Sequence, residues 1–199
     1  MGTMAAAQVD GWFAELGLNP VDRGERDGIT SWDLLLDGRR RADIRFTLIL
    51  DPARVLLCWV HYAPPVNDSF RVSYRQFLRW NDELPHVKFA LSGDEDRPML
   101  TSEVATEGLT LDVVGLAVAR LLAVCDLLLD ESLRWLWPGA KKPPPMGRTS
   151  RQAALFVRYA HELEELLVGT EGASGEAAEA ERAIPVATAE GATVDRSMT

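Results

Sequence analysis

Apolar residues recur at helical spacing from Gln8 to Leu18, at Val9, Trp12, Phe13, Leu16 and Leu18, which predicts an amphipathic helix that Asn19-Pro20 ends. The stretch from Val21 to Thr30 is charged and glycine-bearing and carries no predicted element. Three β-type runs follow: Ser31 to Leu36, Ala42 to Leu50 and Arg54 to Tyr62. Asp37-Gly38 predicts the hairpin turn between the first two, and Asp51-Pro52 a tight connection between the next two. In the second run Ile44, Phe46, Leu48 and Leu50 share one face while Asp43, Arg45 and Thr47 occupy the other, the alternation of a sheet with one wet side. The third run is apolar on both faces, with Val55, Leu57 and Trp59 alternating with Leu56, Cys58, Val60 and Tyr62. That pattern predicts a strand that is central or covered on its second face as well.

Ala63-Pro64-Pro65 breaks the sheet, and Asn67-Asp68-Ser69 offers N-caps for a helix with Phe70, Tyr74, Phe77, Leu78 and Leu84 along one side, ending at Pro85. Val87 to Leu91 and Leu100 to Val104 flank the turn Ser92-Gly93-Asp94-Glu95-Asp96 and predict a second hairpin. Thr110 caps a long helix with Val114, Ala117, Val118, Leu121, Val124, Cys125 and Leu128 on its core stripe, stopped by Pro138-Gly139. The expected fold is a two-layer α+β domain over residues 1–140, a five-stranded mostly antiparallel sheet with helices on one face, in the order α-β-β-β-α-β-β-α. Residues 141–149, with Lys141-Lys142-Pro143-Pro144-Pro145, read as a stiff proline-rich linker, and residues 150–168 as an appended amphipathic helix with Phe156, Tyr159, Leu163, Leu166 and Leu167 on one side. Residues 169–199 have no aromatic residue and read as a disordered acidic tail, because burial cannot offset the entropy of ordering them.

Composition narrows the function classes. The 199 residues are 47% hydrophobic and 26% charged, the balance of an ordinary globular chain. The formal charge is −9, and only residues 141–168 are net basic, with five Lys and Arg against three acidic residues. A nucleic-acid partner is not expected, because phosphate recognition needs several aligned cations. Asp112, Arg120 and Asp126 interrupt the most apolar stretch, Leu109 to Leu129, so no membrane span is expected, and the start of the chain has no basic region followed by a long apolar one, which leaves a cytoplasmic location as the expectation. Cys58 and Cys125 lie in apolar runs and read as small buried hydrophobes of a reducing compartment.

Signatures of chemistry are scarce. Cys58 and His61 stand three apart on a predicted strand, which points them to opposite faces and prevents them from sharing a metal. His86 opens a strand, and His161 lies on the appended helix near Glu162, Glu164 and Glu165, a pattern typical of a solvated face. Asp94-Glu95-Asp96 lacks the spaced oxygens of a calcium loop and reads as a hairpin tip. Glycine-rich phosphate loops, nucleophile elbows and zinc-protease motifs are all missing, so neither a catalytic residue nor a cofactor or metal is assigned. Asn67-Asp68-Ser69 fits a glycosylation acceptor in form and is better explained as a helix cap.

The unusual feature is an excess of apolar surface. Leu116, Leu127, Leu129, Leu133, Trp135, Leu136 and Trp137 fall largely outside the core stripe of the long helix, and one sheet face cannot cover every side of a helix. Two covers are open: the appended helix folding back within the chain, or a second copy pairing about a two-fold axis as a homodimer. The stretch Phe77-Leu78-Arg79-Trp80-Asn81-Asp82-Glu83-Leu84, followed by Val87-Lys88-Phe89-Ala90-Leu91, resembles the YbjN family, as does Leu109 with the Leu/Val-rich helix through Cys125-Asp126. The resemblance covers roughly residues 5–137 and implies the fold of the type III secretion chaperones and a non-enzymatic, often dimeric protein tied to regulation or protein binding. A protein-binding module follows as the leading expectation, chaperone-like or regulatory, holding a partner segment on a sheet face or edge. Its candidate partner-binding residues are Trp32, Trp59, Tyr62, Leu129, Leu133, Trp135, Leu136 and Trp137. The alternative is a small-molecule-binding protein or hydrolase with a pocket between sheet and long helix, marked by two or more of Asp43, Arg45, His61 and Arg75 in one cavity.

Overall fold

The structure, a computed structural model, describes residues 6–63, 71–129 and 146–166. Helix α1 (Ala6–Leu16) leads into four strands, β1 (Pro20–Arg26), β2 (Ile29–Leu36), β3 (Ile44–Asp51) and β4 (Val55–His61). Helix α2 (Arg71–Glu83), the hairpin β5 (Lys88–Ser92) and β6 (Arg97–Ala105), helix α3 (Leu111–Leu127) and the short α4 (Ala153–Arg158) follow. The strands form an open antiparallel sheet in the order β1-β2-β3-β4-β6-β5. The class is the α+β class expected, with six strands among the described residues in place of five.

The additional strand is β1, the charged stretch after Pro20. All seven of its residues are exposed, so no apolar alternation announces it. Its ladder to β2 is closed by Asp27-Gly28, both at positive φ (54° and 78°), a two-residue turn whose twist suits an antiparallel pair. The expectation that Asp37-Gly38 makes a tight hairpin is therefore corrected. Leu36 pairs with Ile44, and Asp37 opens the longer loop 37–43.

Period-two alternation places the core on one side of the sheet. Trp32, Leu34, Phe46, Leu48, Leu56, Cys58, Val60 and Leu100 all turn toward the helices and are buried. Phe13 of α1 meets Trp32 edge to face at 5.3 Å between centroids, and Asp10 accepts the Trp32 indole N–H at 2.7 Å. At the far end Phe77 of α2 stacks on Phe89 of β5 at 4.7 Å, and Tyr62 meets Phe89 edge to face at 5.1 Å.

Asn81 gives the family-like helix its structural role. Its side chain accepts the Phe89 N–H at 2.5 Å and donates to the Phe89 carbonyl at 3.1 Å, so one amide takes the place that a seventh strand would occupy beside β5. Lys88 Nζ adds contacts to the Asn81 and Leu84 carbonyls at the end of α2. Asn81→Ala is expected to destabilise the protein by about 2 kcal/mol, because both Phe89 groups lose their partner in a partly buried setting. Denaturant unfolding that leaves the midpoint unchanged would show the pairing to be dispensable.

Thr110 caps α3, its hydroxyl accepting the Val113 N–H at 3.3 Å. The helix buries Val114, Val118, Leu121, Leu122 and Cys125, and residues 146–166 fold back over it within the same chain. Leu155, Phe156, Tyr159, Leu163 and Leu166 all join the core. The covering segment is two short helical stretches, Ala153–Arg158 and 160–166, interrupted at Tyr159, and not one continuous helix. The Tyr159 ring lies on Gly115, where a Cβ would sit 2.8 Å from its Cε2 atom, so a bare backbone is what lets the ring approach. Tyr159 donates its hydroxyl to Asp112 at 3.0 Å, and Arg158 pairs with the same carboxylate at 2.7 Å. Leu133, Trp135, Leu136, Trp137, most of the proline-rich linker, the acidic tail and the Asn67-Asp68-Ser69 cap lie outside the described residues.

Candidate functional site

Two polar centres stand out, and the loop 37–43 builds the first. Asp37 is 0% exposed, yet it collects most of the polar contacts that seat the covering segment. Arg151 donates to both of its oxygens at 3.0 and 2.8 Å, Arg148 donates at 2.9 Å, and both arginines also reach Asp43, at 2.7 and 3.1 Å. Gln152 accepts the Asp37 N–H at 2.6 Å, and Ser150 donates to the Asp37 carbonyl at 3.2 Å. Burial alone would raise the Asp37 carboxyl; the Arg151 hydrogen bonds, the N–H groups of Asp43 and Arg151, and the Arg151 charge outweigh it and hold the group well below the usual carboxylate range.

Asp126, near the end of α3, organises the same loop from beneath. It accepts the Arg39 and Arg40 N–H groups at 2.5 and 3.1 Å, and Gly38 is required there because a Cβ would meet its carboxylate at 2.6 Å. Burial pushes the Asp126 carboxyl up, opposed by those N–H groups and by the Arg40 charge. Arg39 lies over the Phe156 ring at 5.0 Å, which ties loop, helix and cover together. Among the described residues these contacts join the loop, the end of α3 and the covering segment as a structural clasp.

The second centre is on the sheet face away from the helices. Strand register sets Asp33, Thr47, Trp59, Thr101 and Lys88 in one row across five strands. The adjacent row holds Leu35, Arg45, His61, Met99 and Ala90. Trp59 and His61 are two apart on β4 and therefore share this face; both are half-buried, and Trp59 Nε1 and His61 Nδ1 are buried atoms with no hydrogen-bond partner among the described residues. Asp33 accepts the Thr47 hydroxyl at 2.6 Å. A cavity of about 350 Å³ opens beside them, with Val21 and Asp22 on one side and Asp33, Leu35, Arg45 and His61 around the rest. Burial lowers the His61 pKa, the charges of Arg45 and Arg97 add to that, and Asp33 opposes them, so the imidazole is neutral near pH 7.

The residues expected from sequence are thereby sorted. Trp32 (0% exposed), Tyr62 (1%) and Leu129 (5%) are core residues with no free surface; Tyr62 donates its hydroxyl to the Leu128 carbonyl at 3.3 Å. Trp59 alone among the described candidates lies on the outer face. Arg45 and His61 meet in one cavity, while Asp43 belongs to the clasp and Arg75 lies on α2. Between the sheet and α3, where the alternative reading sets a pocket, the described residues include a core cluster with Leu56, Cys58, Val118, Leu121 and Cys125. Cys58 and Cys125 are buried free thiols, each pushed up to about 12 by burial, which keeps them unreactive. Among the described residues no three His, Cys, Asp or Glu side chains are grouped to hold a metal, and no helix is long and apolar enough to cross a membrane.

Fold and site together define a two-layer α+β domain with one face of its sheet under helices and, on the other, a cavity lined by both charged and apolar residues. The chain belongs to the YbjN family, described as "Putative bacterial sensory transduction regulator", which matches residues 5–134. The covering segment 146–166 lies beyond that match. Among solved structures, the crystal structure of an uncharacterized protein from Methanothermobacter thermautotrophicus is similar at 15% identity, covering 66% of this chain and 97% of that one, with a TM-score of 0.42. No curated protein matches the chain.

Proposed function

We propose that the chain is a non-enzymatic regulatory adaptor that holds a segment of a partner protein across the outer face of its sheet, with Trp59 as the anchor. The supporting observation is the Trp59 row: a half-buried aromatic ring at the middle of the sheet, a buried indole N–H without an acceptor, and flanking half-buried Ile49 and Leu57. The sheet edges fit a partner less well, since Asn81 occupies Phe89 of β5, and β1 opens with Pro20 and carries closely spaced charges. A net charge of −9 favours a partner segment with basic flanks.

Parallel capture from a bacterial extract tests the reading, using wild type, Trp59→Asp and, as a control on an exposed residue of α2, Leu78→Asp. A protein retained by wild type and the control and lost from Trp59→Asp is the expected result. Equal capture by all three, or none by any, removes the Trp59 face from consideration. A second reading, a small-molecule-binding protein, is favoured by the convergence of Arg45 and His61 on one cavity.

A further inference from the structure

We infer that the cavity formed by β1 to β4 on the outer face of the sheet is a binding site for a free amino acid or a similarly small zwitterion. The inference rests on how charge is distributed around that cavity. Its floor is the backbone of β2 and β3 at Leu34 and Phe46, whose side chains point the other way into the core. One wall comes from β1, where the register with β2 shifts between Pro20 and Asp22. A bulge of that kind re-aims side chains, and here it places Val21 and Asp22 on the rim of the cavity. The opposite wall is His61 of β4.

Two carboxylates, Asp22 and Asp33, thus share a small space with one guanidinium, Arg45. The Arg45 position pairs with Leu35 and lies one register step beyond the Phe46 and Val60 pair, which sets it across from His61. Among the described residues Arg45 makes no ion pair, so its planar fork is available to a ligand carboxylate. Asp33 uses one oxygen to hold the Thr47 hydroxyl and can accept an ammonium group with the other, beside Asp22. Val21 and Leu35, both exposed, supply apolar contact for a side chain.

Size and charge select among ligands. A volume of about 350 Å³ lies at the small end of ligand pockets and excludes a dinucleotide. With His61 neutral, the lining carries two negative charges and one positive. That balance accepts a ligand of net charge zero or plus one and opposes phosphate esters and dicarboxylates. The unpaired Nδ1 of His61 adds a hydrogen-bonding group without adding charge.

Calorimetric titration of the full chain provides the test. Each of the twenty L-amino acids is added to about 10 mM, beyond a 1 mM dissociation constant. Any that binds is compared with its N-acetyl and methyl ester derivatives, which lack one charge each. At least one amino acid is expected to bind, both derivatives about tenfold or more weaker, with a loss of the same order in Arg45→Gln and in Asp33→Asn. Both residues are exposed, and circular dichroism with the thermal midpoint verifies that each variant is folded. Arg45→Lys, which keeps the charge and loses the fork, is expected to fall between wild type and Arg45→Gln. Absence of binding by all twenty, equal binding by either derivative, or binding unchanged in Arg45→Gln and Asp33→Asn overturns the assignment. The readout involves no protein partner, so its failure is separate from failure of capture at Trp59.

Discussion

Ending the chain at Pro145 is expected to lower the thermal midpoint by roughly 10 °C or more, or to leave a protein that self-associates through α3. The covering segment buries Leu155, Phe156, Tyr159, Leu163 and Leu166, each at 4% exposure or less. At roughly 1.5 to 3 kcal/mol per large apolar side chain, their loss approaches the whole stability of a typical domain. The true figure is smaller, because the unfolded chain already buries some of that surface and the segment no longer has to be ordered. Several kcal/mol remain, and α3 would present to water the face at Gly115 on which the Tyr159 ring rests. Light scattering with size-exclusion chromatography and a thermal scan read both outcomes. A peptide of residues 146–166 added back should raise the midpoint again. A truncated protein with unchanged size and midpoint would mean that the segment contributes nothing to the core.

Asp37→Ala is expected to cost about 2 to 4 kcal/mol at pH 7, more than removal of any exposed carboxylate. Its carboxylate is fully buried while Arg148 and Arg151 are 48% and 41% exposed, so the arginines can regain water and the loss stays below that of a wholly buried pair. The N–H groups of Asp43 and Arg151 lose their acceptor in the same step. Because the folded carboxyl is held below its ordinary value, its contribution is present above the unfolded pKa near pH 4 and is lost as pH falls below it. The stability difference between wild type and Asp37→Ala should therefore shrink between pH 7 and about pH 3. Urea unfolding at the two pH values measures it, and a difference that does not change with pH would mean that the charge of Asp37 is not what holds the cover.

Period and punctuation were enough to find the elements that bury a face. β2, β3 and β4 alternate as read, Thr110 caps α3, and Ser92 to Asp96 turns between β5 and β6. The strand β1 was illegible because hydrogen bonds alone place it in the sheet, and its residues face water on both sides. Asp37-Gly38 and Asp27-Gly28 are the same dipeptide, and only the chain's return at Arg148 and Arg151 separates a clasp from a tight turn. Trp32 and Tyr62 are aromatic residues of the first sheet, a type suited to holding a partner segment, and the rings that bury them, Phe13 on α1 and Phe89 on β5, lie far along the chain. Arg45 and His61 lie on neighbouring strands, and antiparallel register supplies their meeting. Asp22 joined them through a bulge that no pattern in the chain marks.

Gly115 and Tyr159 form a matched pair whose history can be read in relatives. Glycine inside a helix is less favourable than alanine by about 1 kcal/mol, a burden that makes sense here only while an aromatic ring rests on that turn. A lineage that lost the C-terminal cover would be released from it, and drift toward alanine or a larger residue would follow. Family members that keep glycine at this position should be those that also carry a covering segment beyond the shared domain.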